Sequence, residues 1–179
     1  MTVYRIFPAV RSAAPDAPGG ALFVPTSGNG RIANPGSYDE LYFADSPEGA
    51  IAETFGRLSE WHSGMLTRAG RPLALATCRF PDDVALCDLD DPQELVRLTL
   101  RPSEVVTSDR RRSQAWARAI YERRAFGGIR WWSRLDSRWF VVGIWRTDLL
   151  ESAAEPEELR IDDPRIARAA EIIVRRLSS

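Results

Sequence analysis

The sequence predicts an α+β fold in a single compact domain. Short β-branched and aromatic runs alternate with helix-like segments, and turns rich in Pro and Gly separate them. The chain has 179 residues, which is enough to close one hydrophobic core. It contains neither GxGxxG nor GxxxxGKS/T, the Gly-rich loops of common nucleotide-binding sheets. We therefore expect short mixed or antiparallel strands with flanking helices, and not a doubly wound sheet.

The N-terminal part predicts strands separated by tight turns. VYRIF at 3–7 is β-branched and aromatic and predicts a first strand. ALFV at 21–24 predicts a second short strand, and PTSGNG at 25–30 predicts a sharp turn into Arg31. Asn34-Pro35-Gly36 predicts another turn, because Pro fixes φ and Gly permits a positive φ.

The next segment predicts a strand followed directly by a helix. ELYFA at 40–44 alternates, so Tyr42 lies on the opposite face from its apolar neighbours. Ser46 precedes a Pro and is a good N-cap, and the helix is expected to run to about Leu58. Glu53 lies outside the apolar stripe of this helix, so the pattern alone predicts a surface carboxylate. It becomes functional only if its side of the helix faces a cleft.

The rest of the chain predicts alternating strands and helices. Apolar runs with turn signals predict hairpins, and capping residues with Gly pairs mark helices. We expect one hairpin of 73–80 with 84–89 and another of 129–133 with 138–145. We expect helices at 92–98, at 114–125 with Ser113 as its cap, and at 165–177 with Asp163 as its cap. Residues 99–112 are expected to form a polar connector. The last helix is amphipathic and either docks on the domain or contacts a partner or a second copy.

Composition narrows the function classes. The net charge is −1, so the chain lacks the basic field of a protein that binds nucleic-acid phosphates. All 24 basic residues are Arg, so a mechanism that needs a catalytic Lys is not expected. Cys78 and Cys87 form no CxxC pair, which predicts neither a metal site nor a disulfide. The first residues lack the apolar core of a signal peptide, and no run approaches 18 apolar residues. We therefore expect a cytoplasmic protein without a membrane segment.

Three side chains between positions 31 and 53 form the best candidate site. Arg31, in a turn, suits a phosphate or pyrophosphate, Tyr42 can stack on a flat ring, and Glu53 can stabilise a developing positive charge. Together they fit a dinucleotide with a cationic leaving group. The alternative is a turn Arg, a half-buried Tyr and a surface Glu without function. His62 is the only histidine, and no GxSxG elbow accompanies it, so a His-based triad is not expected.

A carboxylate-based site is a further alternative. Asp45, Asp88, Asp90 and Asp91 all lie near strand ends, where paired carboxylates could act as in glycosidases. The group at 88–91 would also suit a metal-dependent nuclease or hydrolase. Nothing in the sequence places two of these carboxylates at a working distance.

Several segments resemble blocks of the RES domain family, over most of the chain from residue 3 to about Leu150. They are GRIANPG at 30–36, LYFADSPEGAIAETF at 41–55, DLDDPQEL at 88–95, SQAWARAIYE at 113–122 and GGIRWWSRLD at 127–136. The family's Arg, Tyr, Glu and Ser correspond to Arg31, Tyr42, Glu53 and Ser133. The chain departs from the family where Ile32-Ala33 and Trp131-Trp132 replace an aromatic-Asn/Asp pair and Tyr-Pro.

The resemblance implies an ADP-ribosyltransferase-like fold and chemistry on NAD as a substrate, without a metal. Members are toxins of bacterial toxin–antitoxin pairs with an Xre-type antitoxin, and they cleave NAD with water or phosphate or transfer ADP-ribose to a protein. By this resemblance Arg31 and Glu53 are catalytic, with Arg31, Tyr42 and Ser133 binding NAD. Residues 1–150 would form the catalytic domain, and 151–179 a linker and packed helix. The rival expectation is an inactive nucleotide- or partner-binding module.

Overall fold

The computed structural model describes residues 1–25 and 28–178, and it confirms the predicted α+β class. The strands are Thr2–Pro8 (β1), Leu41–Ala44 (β2), Glu60–Trp61 (β3), Thr67–Arg68 (β4), Arg71–Arg79 (β5), Leu86–Asp88 (β6), Gly128–Trp132 (β7), Phe140–Ile144 (β8), Glu151–Ser152 (β9), Glu157–Glu158 (β10) and Arg176–Leu177 (β11). The helices are Pro47–Phe55 (α1), Pro92–Leu98 (α2), Pro102–Val105 (α3), Arg110–Glu122 (α4) and Pro164–Ile172 (α5). The predicted turn at 25–30 includes Thr26 and Ser27, which lie outside the described residues.

One mixed sheet forms the body of the molecule, with the strand order β10-β5-β1-β2-β8-β7-β6. Its neighbours are antiparallel except for the pair of β6 with β7, which is parallel. Tyr42 of β2 lies opposite Gly143 of β8, in the middle of the sheet. Only β8 lies between β2, which carries the predicted Tyr, and β7, which ends just before the predicted Ser, so these two residues lie close together.

The predicted pairing of strands is confirmed at one hairpin and wrong at the other. β7 and β8 pair antiparallel, as expected for 129–133 with 138–145. β5, in contrast, pairs with β1, and β6 lies at the far edge of the sheet beside β7. The turn between β5 and β6 looks like a hairpin locally, but β5 pairs with β1 along one edge and with β9 and β10 along the other, so neither edge is left for β6. The expected strand at 21–24 is also absent, and these residues form turns and irregular backbone.

The helix starts follow their capping residues, with one exception. Ser46 caps α1, and its Oγ accepts from the Gly49 N–H at 3.1 Å. Asp163 caps α5 as predicted. The helix predicted to begin after Ser113 begins three residues before it, because Asp109 caps α4 and leaves Ser113 buried inside the helix. Part of the predicted polar connector therefore belongs to α3 and α4.

Apolar layers on the two faces of the sheet hold the helices in place. α1 and α5 pack together around Ile51, Trp61 and Ile166, all buried. α4 packs through Trp116 and Ile120 near the β7 end of the sheet. The expected linker at 151–158 contributes β9 and β10 to the edge of β5, and Leu177 leaves the predicted helix to join β11. Within the described residues, no helix combines the length and apolar character needed to cross a bilayer.

Candidate functional site

Two cavities meet beside α1, and their shared wall contains two of the predicted site residues. The first cavity measures about 220 Å³ and the second about 450 Å³. Tyr42, Glu53 and Val141 line both. Arg31 lines the first cavity only. The side of α1 that carries Glu53 therefore faces a cleft, which was the condition for a functional reading of that residue.

Glu53 is hydrogen-bonded to a serine that is distant in the sequence. The Ser133 Oγ donates to the Glu53 Oε1 at 2.5 Å, although the two residues are 80 positions apart. Ser133 directly follows β7 and is only 3% exposed, and its Oγ also accepts from the Leu135 N–H at 3.0 Å. These two contacts use the hydroxyl as donor and acceptor, so the serine fixes one carboxylate oxygen of Glu53. The other oxygen accepts no hydrogen bond from residues 1–25 and 28–178.

Arg31 is held through both its side chain and its backbone. Its Nη1 donates to the carbonyl oxygen of Val105 at 3.2 Å and to that of Thr107. Burial lowers the pKa of Arg31 from its ordinary value, more than the nearby Glu53 carboxylate raises it. The guanidinium remains charged, because an Arg does not lose its proton in proteins. A partly desolvated cation thus lies within electrostatic reach of the Glu53 carboxylate.

Side chains of α4 bind four consecutive carbonyl groups of the loop that carries Arg31. Gln114 Nε2 donates to the carbonyl oxygens of Gly28 and Gly30, at 3.4 and 3.0 Å. The Ser113 Oγ donates to that of Arg31 at 2.6 Å, and Arg110 Nη1 donates to that of Asn29. We call these three α4 residues the loop clamp. They shape a segment that has no helix or strand of its own.

Tyr42 connects the sheet to the same loop. Its hydroxyl oxygen accepts from the Ile32 N–H at 2.8 Å, and burial raises its pKa above the ordinary value. Its ring meets Trp131 edge to face, with 6.5 Å between the ring centroids. A Cβ at Gly30 would lie 2.1 Å from the Tyr42 hydroxyl oxygen, so only glycine permits this approach. Tyr42 therefore positions the loop in addition to forming a wall of both cavities.

The first cavity is strongly cationic. Arg57, Arg110 and Arg134 line it together with Arg31, facing the single carboxylate of Glu53. Neither Arg57 nor Arg134 was identified from the sequence, although Arg134 adjoins the predicted Ser133. Arg110 is the first of three consecutive arginines and lies in the segment that was predicted to be a polar connector. Such a wall suits a ligand with more than one negative charge, such as a pyrophosphate.

The alternative candidates have structural roles or none in the described chain. The exposed His62 accepts through its Nδ1 from the Gly64 N–H. Asp88 pairs with Arg130 at 2.7 Å, and Asp91 caps α2. The Asp45 Oδ1 accepts from the Phe140 N–H at 3.0 Å. Residues 1–25 and 28–178 contain no group of three or more His, Cys, Asp or Glu side chains placed to hold a metal ion.

Comparison with known proteins supports the family and the fold. A family model described as RES domain matches residues 2–164. No curated protein matches the sequence. Among solved structures, the crystal structure of the M. tuberculosis MbcT–MbcA toxin–antitoxin complex contains a chain of similar fold, with a TM-score of 0.63 and 20% identity. The match covers 97% of this chain and 88% of the other.

Proposed function

The chain belongs to the RES domain family, and from this membership and the geometry of the site we propose that it cleaves the nicotinamide–ribose bond of NAD. The observation that carries the proposal is the Ser133–Glu53 hydrogen bond at the junction of the two cavities. It orients a carboxylate between a cationic cavity on one side and an aromatic wall on the other. A dinucleotide with a positively charged ring needs a cationic environment for its pyrophosphate and an aromatic one for its ring, with the scissile bond between them.

The cavities differ in charge, which suggests how NAD lies in them. Four guanidinium groups repel the cationic nicotinamide ring and attract the pyrophosphate, so the first cavity takes the phosphates. The second cavity, lined by Tyr42, Ile6 and Ala50, takes the nicotinamide ring. Since Glu53 lines both cavities, we place the scissile bond at their junction. Tyr42 then stacks or packs against the ring at the boundary.

The chemistry follows from these positions. The bond between the ribose C1′ and the ring nitrogen breaks, and its electron pair stays on that nitrogen, which becomes neutral. No general acid is required for this leaving group. The Glu53 carboxylate stabilises the positive charge that develops at C1′ and accepts the proton of the attacking water or hydroxyl. Arg31 holds the pyrophosphate, and Ser133 keeps Glu53 in its orientation. Water, phosphate or a protein side chain serves as the acceptor.

We assign the chain to the toxins of bacterial toxin–antitoxin pairs, acting in the cytoplasm on the cellular NAD pool. The similar fold of MbcT, which forms a toxin–antitoxin complex, supports an antitoxin partner for this chain. An Xre-type antitoxin that covers the cleft with an acidic segment would meet the exposed Arg111 and Arg112 beside it. Reversing the charge of these two residues would then weaken the complex, and unchanged affinity would refute this contact.

The test of the activity is NAD consumption with release of free nicotinamide by the purified chain. Parallel reactions contain phosphate or none, which identifies the acceptor. Glu53→Ala and Arg31→Ala should abolish the reaction, whereas Glu48→Ala on the same helix and the exposed Arg68→Ala should retain it, since neither lines a cavity. NAD binding without turnover would favour the inactive binding module. The absence of both binding and turnover would refute the proposal.

A further inference from the structure

A second carboxylate, that of Glu40, belongs to the wall of the second cavity. Glu40 comes just before β2 and lies two positions before Tyr42, with which it shares the wall of this cavity. Glu40 is half-buried and lines the second cavity but not the first. Among the described residues, no arginine forms an ion pair with it, although the chain has 24 basic residues. A half-buried carboxylate without a cation is costly and invites a functional explanation.

The groups around Glu40 leave its charge uncompensated. Tyr4, Arg5, Tyr42 and Glu53 are the titratable residues that share this cavity. The Arg5 guanidinium has other partners, since its Nη1 donates to the carbonyl oxygens of Ala21 and Phe23 at 2.9 and 3.4 Å and its Cζ lies 5.8 Å from the centre of the Phe43 ring. Burial, together with the adjacent Asp39, raises the pKa of Glu40 to about 7. Above that pH the second cavity therefore carries negative charge at its wall, whereas the first is lined by arginines.

Resting on the proposed function, we propose that Glu40 is a specificity-determining residue that admits the uncharged carboxamide of nicotinamide and excludes the carboxylate of nicotinic acid. The cationic ring of NAD is attracted to a negative wall, and the amide N–H groups can donate to a carboxylate. The nicotinic acid dinucleotide presents a carboxylate instead, which Glu40 repels. Selection by an unfavourable contact with the wrong ligand is a common route to specificity. Two like charges about 6 Å apart at an effective dielectric of about 20 correspond to roughly 100-fold discrimination.

The experiment compares NAD with nicotinic acid adenine dinucleotide as substrates at about pH 8.5, where Glu40 is ionised. The quantity measured is the ratio of the two kcat/KM values, for the wild type, Glu40→Gln and the control Asp39→Asn. Comparing ratios between variants cancels the intrinsic difference in leaving-group reactivity. We expect the ratio to fall roughly 100-fold in Glu40→Gln, mainly through a lower KM for the nicotinic acid substrate. Asp39→Asn removes a charge from an exposed neighbour outside both cavities and should keep the wild-type ratio.

The outcomes separate this inference from the proposed function. If the wild type cleaves NAD and the ratio is the same in Glu40→Gln, the specificity role is wrong and the NAD activity stands. If the wild type cleaves neither dinucleotide, the proposed function fails, and binding of free nicotinamide and nicotinate by ligand-observed NMR decides the specificity role. The specificity role is supported if the wild type binds nicotinamide more tightly than nicotinate and Glu40→Gln binds the two equally. Equal binding of the two ligands by the wild type overturns it.

Discussion

Replacing Gln114 with Met removes the amide of the loop clamp and leaves its length and its backbone contacts in place. The lost interactions are the hydrogen bond to the Gly30 carbonyl at 3.0 Å and the weaker one to Gly28 at 3.4 Å. A hydrogen bond of this kind contributes about 0.5–1.5 kcal/mol, so the pair is worth about 1–2 kcal/mol. Gln114 lines neither cavity, so its effect reaches the substrate only through the loop that carries Arg31.

The consequence is a raised KM for NAD. The loop clamp favours the position of Arg31 that binds the pyrophosphate. Losing about 1–2 kcal/mol of this free energy should raise the KM roughly 5–30-fold, with little change in kcat. Steady-state kinetics of nicotinamide release measures both parameters. Gln93→Met, at an exposed position of α2, is the matched control and should leave both unchanged.

Gln114→Glu makes the test sharper, because Glu has the same shape but its carboxylate cannot donate to a carbonyl. We expect it to impair the KM at least as much as Gln114→Met. Wild-type kinetics in Gln114→Glu would refute the argument that donation to the loop matters. An unchanged KM in Gln114→Met, with the fold intact by circular dichroism, would do the same.

Three further predictions concern Ser133, Tyr42 and Glu40. Ser133→Ala removes the donor that orients Glu53, and it should lower kcat by about 10²-fold while the Kd for NAD changes little. Tyr42→Phe leaves the buried Ile32 N–H without its acceptor, and it should cost about 1–3 kcal/mol of unfolding free energy in urea titrations. Glu40 has a folded-state pKa of about 7, raised from 4.5, so its ionisation destabilises the fold as the pH rises through this range. Glu40→Gln should therefore raise the unfolding free energy by about 1–2 kcal/mol near pH 8, after allowance for solvent screening, and by almost nothing near pH 4.

Matched variants serve as controls for these predictions. Ser137→Ala, at an exposed position, should keep wild-type kcat, and Tyr121→Phe, whose hydroxyl makes no hydrogen bond to the described residues, should keep wild-type stability. Unchanged kcat in Ser133→Ala would remove the serine from the orientation of Glu53. A stability gain in Glu40→Gln of the same size at both pH values would show that charge is not its cause.

Local sequence patterns were sufficient to predict those helices and strands whose signals lie within a few residues of one another. Ser46 before a Pro located the start of α1, and Asp163 that of α5. Alternation placed Tyr42 opposite its apolar neighbours, and the aromatic runs around the 134–137 turn predicted the β7–β8 hairpin. In these places capping, periodicity and turn chemistry all favour the same local structure.

Local patterns could not predict contacts between segments that are far apart in the sequence. The partner of β6 depends on which strand edges remain after β1 has paired with β5, and no local signal carries that information. Ser113 has the residue type of an N-cap, but Asp109 caps the helix earlier and Ser113 binds the Arg31 loop instead. Gln114 gave no signal at all, because a side-chain amide on a helix is usually solvated. Only the fold reveals that it faces a loop 84 positions away.

We propose that Glu53, at the junction of the two cavities, is the carboxylate on which NAD cleavage depends. Glu53→Gln tests it most directly, because the amide oxygen can still accept from Ser133 while the negative charge is lost. The measurement is nicotinamide release together with the Kd for NAD by calorimetry, beside Glu48→Gln on the same helix. On this proposal, release falls about 10²–10³-fold in Glu53→Gln with the Kd for NAD nearly unchanged, and Glu48→Gln behaves as the wild type. Release at the wild-type rate from Glu53→Gln would contradict it.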